Sequence, residues 1–504
     1  MQADVMVIGA GLSGAAFLAH LLRDNPAFGG SVLAIEPSAR LGAGLAYGTT
    51  DPAHRINVSA GRMSLFPDLP DHFSDWLARR DEVERDPDAL SPGGMVHARR
   101  AMFGAYVDET VRAWIEASPA DVCHVRQRAI SARRMPDGGW QVTLEDGATA
   151  SATVLVLAVG HTAPDLPAFL AGVAPDPRVI ADPWDRAALE RISADDRVLV
   201  VGTGLTGCDV IASLHARGHR GAILAVSRRG LLPRPRTTLP VSDWGDFSDP
   251  PRTALALLRR TRDAILSATA AGRPWEDVII ALRNQARTVW GALPVPERLR
   301  LLRHLRPFWD VHRFQCAPQI AAVVQAGLET GWLTVRAATP VSAEVDRTDP
   351  RAAICVTLRA RGSRGPGGNE IVRVQAVVNC TGPGHRSVVA SHPLLHSLAE
   401  AGHLRADPCR LGIDVDQASR VLDASGQSWP DLFVAGPLAR GTHGELMGLP
   451  QVTTQPRAVA ASVAELLVLR RDVPNIVRTG EAALRAHPGR NHIGGDKGLR
   501  GPGR

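Results

Sequence analysis

VMVIGAGLSGAAFLAHLL (residues 5–22) places Gly9, Gly11 and Gly14 directly after a four-residue apolar strand and before an Ala/Leu helix. That order of strand, glycine turn and helix is what a dinucleotide-binding fingerprint requires. Gly9 allows the tight turn, Gly11 lets a pyrophosphate reach the backbone, and Gly14 permits close packing of helix on sheet. The helix N-terminus then presents free N–H groups and a positive dipole end to the phosphates. The next apolar run, SVLAIE, ends in Glu36, 22 residues beyond Gly14, where a carboxylate can take the ribose hydroxyls. The segment lacks a basic leader and is broken by three glycines, so it reads as part of the folded protein and not as a signal peptide.

RVLVVGTGLTGCDV (197–210) repeats the pattern with Gly202, Gly204 and Gly207, about 190 residues further on. Its following strand, AILAVS, ends in Ser227, Arg228 and Arg229 instead of a carboxylate. An acid there repels a 2′-phosphate and arginines pair with it, which points to NADPH over NADH. The alternative is that Arg228 and Arg229 are ordinary solvated charges. A third segment, DLFVAGPLARGTHGELMGLPQVTTQPRAVAASVAELL from Asp431, runs strand, irregular loop, then a helix after Pro450. In two-dinucleotide flavoproteins an aspartate at such a strand end holds the ribityl chain and the helix dipole faces the flavin ring. Asp431 is read in that role, against the alternative of a turn or capping aspartate.

These segments give an α/β fold class with two Rossmann-like dinucleotide-binding domains. The FAD-binding domain is expected to be discontinuous, 1–165 and 370–486, and the NAD(P)H-binding domain to span 180–369. Residues 142–160 read as a hairpin followed by a buried strand, and 374–382 as another buried strand. The stretch from about 250 to 330, rich in Ala, Leu and Arg at helical spacing, reads as a helical insertion. The Gly-rich tail 487–504 is expected to be disordered.

Composition narrows the function classes. The 504 residues are 45% apolar and 21% charged, which is ordinary globular composition. The net charge of +6 comes from scattered arginine with no basic block, so nucleic acid is not the expected partner. No run approaches the roughly 20 apolar residues of a spanning helix, and no membrane partner is expected. Six cysteines form no CxxC, which argues against a zinc site and against a disulfide reductase, and fits a reducing cytoplasm. No metal site is expected, and oligomeric state is not legible.

The segments GAGLAYGTTDPAHRINVSAGRMSLFPDLPDHFSDWL (42–77), ARRAMFGAYV (98–107), RPFWDVHRFQCAP (306–318) and GPLARGT (436–442) carry a further resemblance. Together they resemble a bacterial family of FAD/NAD(P)-binding proteins whose NAD-binding domain is shared by an FAD-dependent urate hydroxylase and an aspartate N-monooxygenase. The resemblance implies that Gly44, Tyr47, Asn57, Arg62 and Met63 lie on a loop around the flavin, and that Trp309, His312 and Arg313 lie near the reaction cleft. Family members often carry a second His-Arg where this chain has Phe314-Gln315, and an arginine where it has Thr453, so two cationic donors are missing.

His312 reads as a proton donor or anion ligand and Arg313 as a clamp for a carboxylate or urate. The equal alternative is that both tie the insertion to the FAD domain, and Trp309 reads as core more than as a stacking platform. The function these readings imply is an FAD-dependent, NADPH-using monooxygenase. Acting through a flavin hydroperoxide, it hydroxylates a small nitrogen-containing anion with dioxygen, urate first. The alternatives are an amino-acid N-hydroxylase and a reductase with a non-oxygen acceptor.

Overall fold

In the computed structural model the described residues are 1–160, 164–237, 241–348, 353–362, 368–384 and 386–485, with side chains through Arg470. The tail 487–504 lies outside them. Among the described residues no helix is long and apolar enough to cross a membrane.

The first sheet begins with β1 (Gln2–Ile8), β2 (Ser31–Ile35), β3 (Asp121–Val125), β4 (Ala129–Arg134), β5 (Trp140–Leu144) and β6 (Thr149–Leu157). β1 is buried at nearly every position because it pairs in parallel with both β2 and β6 and is covered on both faces. The expected hairpin and buried strand share one element. Residues 149–152 of β6 pair antiparallel with β5, while Ser151–Leu157 run parallel to β1.

The second sheet contains β7 (Val179–Ile180), β8 (Val198–Val201), β9 (Ile223–Ser227), β10 (Leu333–Asp346), β11 (Ala353–Ala360), β12 (Asn369–Val374) and β13 (Ala376–Asn379). Its order is β12-β11-β10-β9-β8-β13-β7. The strand at 376–379 therefore belongs here and not to the FAD sheet that 370–486 was expected to join, because it pairs in parallel with β8 (Val377↔Leu199).

The insertion is also shorter than 250–330. The helix Pro318–Thr330 carries β9 to its parallel neighbour β10 and buries Ile320 and Val324 against Val210 and Leu214. It is the crossover helix of the Rossmann unit itself. The inserted helices are Ala254–Ala270, Trp275–Asn284, Ala286–Ala292, Val295–His304 and Arg306–Arg313. They close a separate small core of Phe247, Leu257, Val278, Leu282 and Val289.

The chain then returns to the first sheet. β14 (Arg420–Leu422) and β15 (Ser428–Val434) extend its edge, β15 lying parallel to β6. The helix Gln451–Arg485 buries Val459, Ala460 and Val463 in the same core as Phe17, Leu18 and Leu21 of the helix Leu12–Asp24. The two sheets are joined by buried polar contacts. Arg100 Nη2 pairs with Asp209 Oδ2 at 2.8 Å, and His54 Nε2 lies 3.1 Å from Ser213 Oγ. Asp209 and Ser213 lie on the helix Leu205–Ala216, which opens at the second glycine turn.

Candidate dinucleotide sites and the cationic cleft

Both glycine turns have the geometry their spacing requires. Gly9 has φ +86°, and a Cβ there would meet the Ala158 carbonyl oxygen at 2.7 Å. A Cβ on Gly14 would meet the Gly9 carbonyl oxygen at 2.1 Å, and one on Gly207 the Gly202 carbonyl oxygen at 2.3 Å. The third glycine of each motif is thus fixed by helix-to-turn packing. Gly202 has φ +112°, while a Cβ on Gly204 would meet nothing within 4 Å, leaving the open approach a pyrophosphate needs.

Gly11 caps its helix with no side-chain hydrogen bond, and the space beside it faces only Gly44, 3.4 Å from where its Cβ would stand. Glu36 sits at the end of β2, accepting the Ala10 N–H at Oε2 and the Ser38 N–H at Oε1, both at 2.9 Å. The carboxylate is thereby aimed beside the turn with lone pairs to spare for hydroxyl donors. From the far end of the chain, Gly436 (φ +105°) comes so near that a Cβ would meet Ser13 Oγ at 2.3 Å. A cradle built of Gly11, Gly44, Glu36 and Gly436 fits a dinucleotide at this edge.

Other expected residues are distributed differently. Tyr47 packs its ring on Phe103, centroids 4.7 Å apart, and burial pushes its phenol up to about 12, so it stays protonated. Met63 is buried in the first core, and Arg62 is exposed. Asn57 donates through Nδ2 to the Gln315 carbonyl at 3.1 Å, tying its loop to the end of the insertion.

Asp431 is the clear departure. It lies in the middle of β15, 0% exposed, and its carboxylate is taken by Arg134 (2.7 Å), Trp140 (3.1 Å) and Arg470 (2.9 Å). With its oxygens enclosed there it is a buried ion-pair hub, not a ribityl ligand. The end of the strand is Val434, which pairs with Leu157 at the end of β6. At the end of β9, Arg228 is exposed, and Arg229 lies over the Phe308 ring at 4.8 Å. Neither forms an ion pair with any described residue.

Trp309 faces the insertion's own core, whereas His312 and Arg313 line a narrow, partly open cleft together with Arg236, Glu276, Arg283 and Gln315. His312 Nδ1 donates to the Phe308 carbonyl at 2.7 Å, which leaves Nε2 as the free acceptor. Arg313 is 5% exposed and pairs through Nη2 with the buried Glu445. Its neighbour charge holds the Glu445 carboxyl below its ordinary range against the opposing effect of burial.

Arg283, 7% exposed, donates to the Leu449 carbonyl (3.1 Å) and to Gln451 Oε1 (2.8 Å), at the start of the last helix. The Nε groups of Arg283 and Arg313 have no partner among the described residues. Burial and the neighbouring Arg313 push Arg283 down to about 9; burial and Arg62 push Arg236 down to about 10. Neither Arg236 nor Arg283 has a carboxylate partner among the described residues.

Sequence reading missed Arg236, Glu276, Arg283 and Glu445, because each is remote in sequence from the motif it serves. It also read Gln315 as a lost cation. In place, Gln315 Oε1 accepts from Arg236 Nη1 at 2.9 Å, so a guanidinium from the loop after β9 supplies the charge. Thr453 is fully buried and donates to the Pro450 carbonyl at 2.9 Å, closing the first turn of the last helix.

Residues 6–162 match the FAD-NAD(P)-binding family model. The chain therefore carries a Rossmann-type FAD/NAD(P)-binding domain. Among solved structures it is similar to the reduced ornithine hydroxylase of Pseudomonas aeruginosa, with 16% identity and a TM-score of 0.61 over 93% of this chain and 100% of that one. It is equally similar to an ornithine N-hydroxylase of Kutzneria sp. 744, solved with reduced FAD, NADP+ and L-ornithine (17%, TM-score 0.61, 92% and 99%). The L-lysine 6-monooxygenase of Pseudomonas syringae aligns at 17% and TM-score 0.59 over 92% and 98%. These likenesses establish the shared fold. No curated protein matches the chain.

Proposed function

We propose that the protein is an FAD-dependent, NADPH-consuming monooxygenase that hydroxylates the amine nitrogen of a small amino acid bearing carboxylate charge. The observation that carries the reading is the cleft, where Arg236 and Arg283 are buried or half-buried without a counter-ion and Arg313 is only singly paired. A desolvated guanidinium costs several kcal/mol unless an anion completes it, so the cleft is built for a carboxylate-bearing ligand. The amine-hydroxylating neighbours share the fold that surrounds such a cleft. Urate, first in the sequence reading, gives way to an amino acid because those neighbours act on amines.

Gly11, Gly44, Glu36 and Gly436 would hold FAD, and Gly202, Gly204 and Gly207 with Arg228 and Arg229 would hold NADPH. The chemistry the two supply when bound is flavin reduction followed by transfer of one oxygen atom of dioxygen to a nucleophile. The protein's part is to orient the substrate carboxylate on Arg236, Arg283 and Arg313 and to exclude water from the reacting edge. The test is a panel of amino acids and urate under labelled dioxygen, reading NADPH consumption and label in the product. Stimulation by an amino acid with label in a hydroxylamine is expected. Label in a urate product, or none in any product alongside fast reduction of another acceptor, overturns the reading.

A further inference from the structure

The walls of the cleft carry three guanidinium groups and one carboxylate. Among the described residues Glu276 is the only acid lining it, half-buried on the first turn of the helix Trp275–Asn284. Glu276, Ile279, Ile280 and Arg283 stand at i, i+3, i+4 and i+7, on one helix face. The face therefore presents an acid, then apolar surface, then a buried base about 10 Å further along the axis. Glu276 forms no ion pair with any described residue, although Arg236 and His312 face it and Asp277 lies beside it. Asp277 is itself bound by Arg273. An unpaired carboxylate among cations, opposite two unpartnered arginine N–H groups, is half of a site that reads a ligand of both charges.

We propose that Glu276 is the acceptor for the proton a substrate ammonium must lose before its nitrogen can attack oxygen. The inference rests on the amine-hydroxylase reading and deepens it. An ammonium has no lone pair; its nitrogen becomes a nucleophile only when R–NH3+ passes a proton to the Glu276 carboxylate, giving R–NH2 and Glu276–COOH. The nitrogen then forms a bond to one oxygen atom while the bond between the two oxygens breaks, and the second oxygen leaves as water. The overall balance is R–NH3+ + NADPH + O2 → R–NHOH + NADP+ + H2O, so the proton held at Glu276 is the one the water requires. The surrounding arginines assist, because cations close to the amine disfavour its charged form. Burial raises the Glu276 carboxyl above its ordinary range, which makes its anion a better proton acceptor.

The FAD-loaded protein and its Glu276→Gln and Glu276→Asp variants are assayed with L-aspartate and with succinate, its amine-free counterpart, chosen because two guanidiniums await carboxylates. Binding is followed by Trp fluorescence and hydroxylamine formation by kcat/KM from pH 6 to 10. Glu276→Gln is expected to lose about 10²-fold in kcat/KM at pH 7 and to regain it tenfold per pH unit as free amine becomes available. Its preference for L-aspartate over succinate should also fall, and Glu276→Asp should keep the wild-type shape of profile at a lower rate. A Glu276→Gln loss equal at every pH, or no loss, overturns the assignment. So does equal binding of L-aspartate and succinate by the wild type, an arm that needs no turnover. If Glu276→Gln fails to hold FAD, the Glu276→Asp profile and the wild-type binding ratio decide. A wild type that binds L-aspartate in preference to succinate yet forms no hydroxylamine from any amine removes the N-hydroxylase reading instead.

Discussion

Replacing Arg236 by Met should make the unliganded protein more stable and at the same time remove its response to substrate. The guanidinium is pushed down from its ordinary range to about 10, first by burial and then by Arg62 and Arg313. At 1.36 kcal/mol per pKa unit, the charged form is about 3 kcal/mol worse off in the fold than in water. At neutral pH the folded and unfolded chains both carry this charge, so the penalty is present in full. Met keeps the unbranched stem without the guanidinium, and the cost of the change is the bond to Gln315, worth about 1 kcal/mol.

The balance for Arg236→Met is a gain of about 1–2 kcal/mol, seen as a raised urea midpoint and melting temperature of the FAD-loaded protein. The amino acid that accelerates NADPH oxidation in the wild type should no longer do so. Arg313→Ala has the opposite sign. It leaves Glu445, buried beside it, without its cation, and losing one member of a buried pair costs about 3–5 kcal/mol. Its flavin content and stability should fall together. A destabilised Arg236→Met protein, or one with unaltered substrate kinetics, would refute the claim that this charge is kept for a ligand at the expense of the fold.

Gly11→Val should give a colourless protein, since the side chain occupies the space a pyrophosphate needs beside Gly44; stoichiometric FAD in the variant would place the flavin elsewhere. Arg228→Ala with Arg229→Ala should weaken NADPH binding by about 1–3 kcal/mol per lost charged bond and leave NADH nearly unchanged, so equal losses for both nucleotides would assign these arginines to the surface. His443, buried with its pKa pressed to about 4 by desolvation, makes stability fall as pH drops from 6.5 toward 4, because the unfolded chain takes up a proton that the folded chain refuses. Roughly 3 kcal/mol rides on it, and a urea midpoint flat across that interval would show that the ring finds water in the fold.

The sequence made the two Rossmann units legible because their information is local. A glycine whose Cβ would stand within 2.3 Å of a carbonyl oxygen, a strand end and a helix start all fall inside about fifteen residues, and the geometry leaves no other residue at Gly14 or Gly207. Asp431 was misread for the opposite reason. Its neighbours in sequence look like a strand end, but its fate is set by Arg134, Trp140 and Arg470, none nearer than 39 positions. The strand Ala376–Asn379 could not be assigned to a sheet from its own residues, since a fully buried parallel strand looks alike in either one.

The arrangement of the cleft gives a reason for the insertion. A two-sheet dinucleotide fold places its cofactors at strand ends lined by glycine and backbone N–H groups, which can hold phosphates but cannot tell one small substrate from another. The discriminating side chains must come from outside the sheets. Here Glu276 and Arg283 come from one inserted helix and His312 and Arg313 from another, while Arg236 arrives on the loop that leaves β9. The insertion folds around its own core of Phe247, Leu257 and Val278, which leaves Glu276 and His312 on its cleft face outside that core. It is anchored to the flavin side where Arg283 meets Leu449 and Gln451, and where Asn57 meets Gln315. Substitutions at Glu276 or Arg236 can therefore change the ligand without touching either glycine cradle, whereas those at Arg313 and Glu445 disturb the anchor itself. Specificity and cofactor binding are separable at Glu276 and Arg236, and are tied together at that buried pair and at Arg283, which both faces the cleft and anchors the last helix.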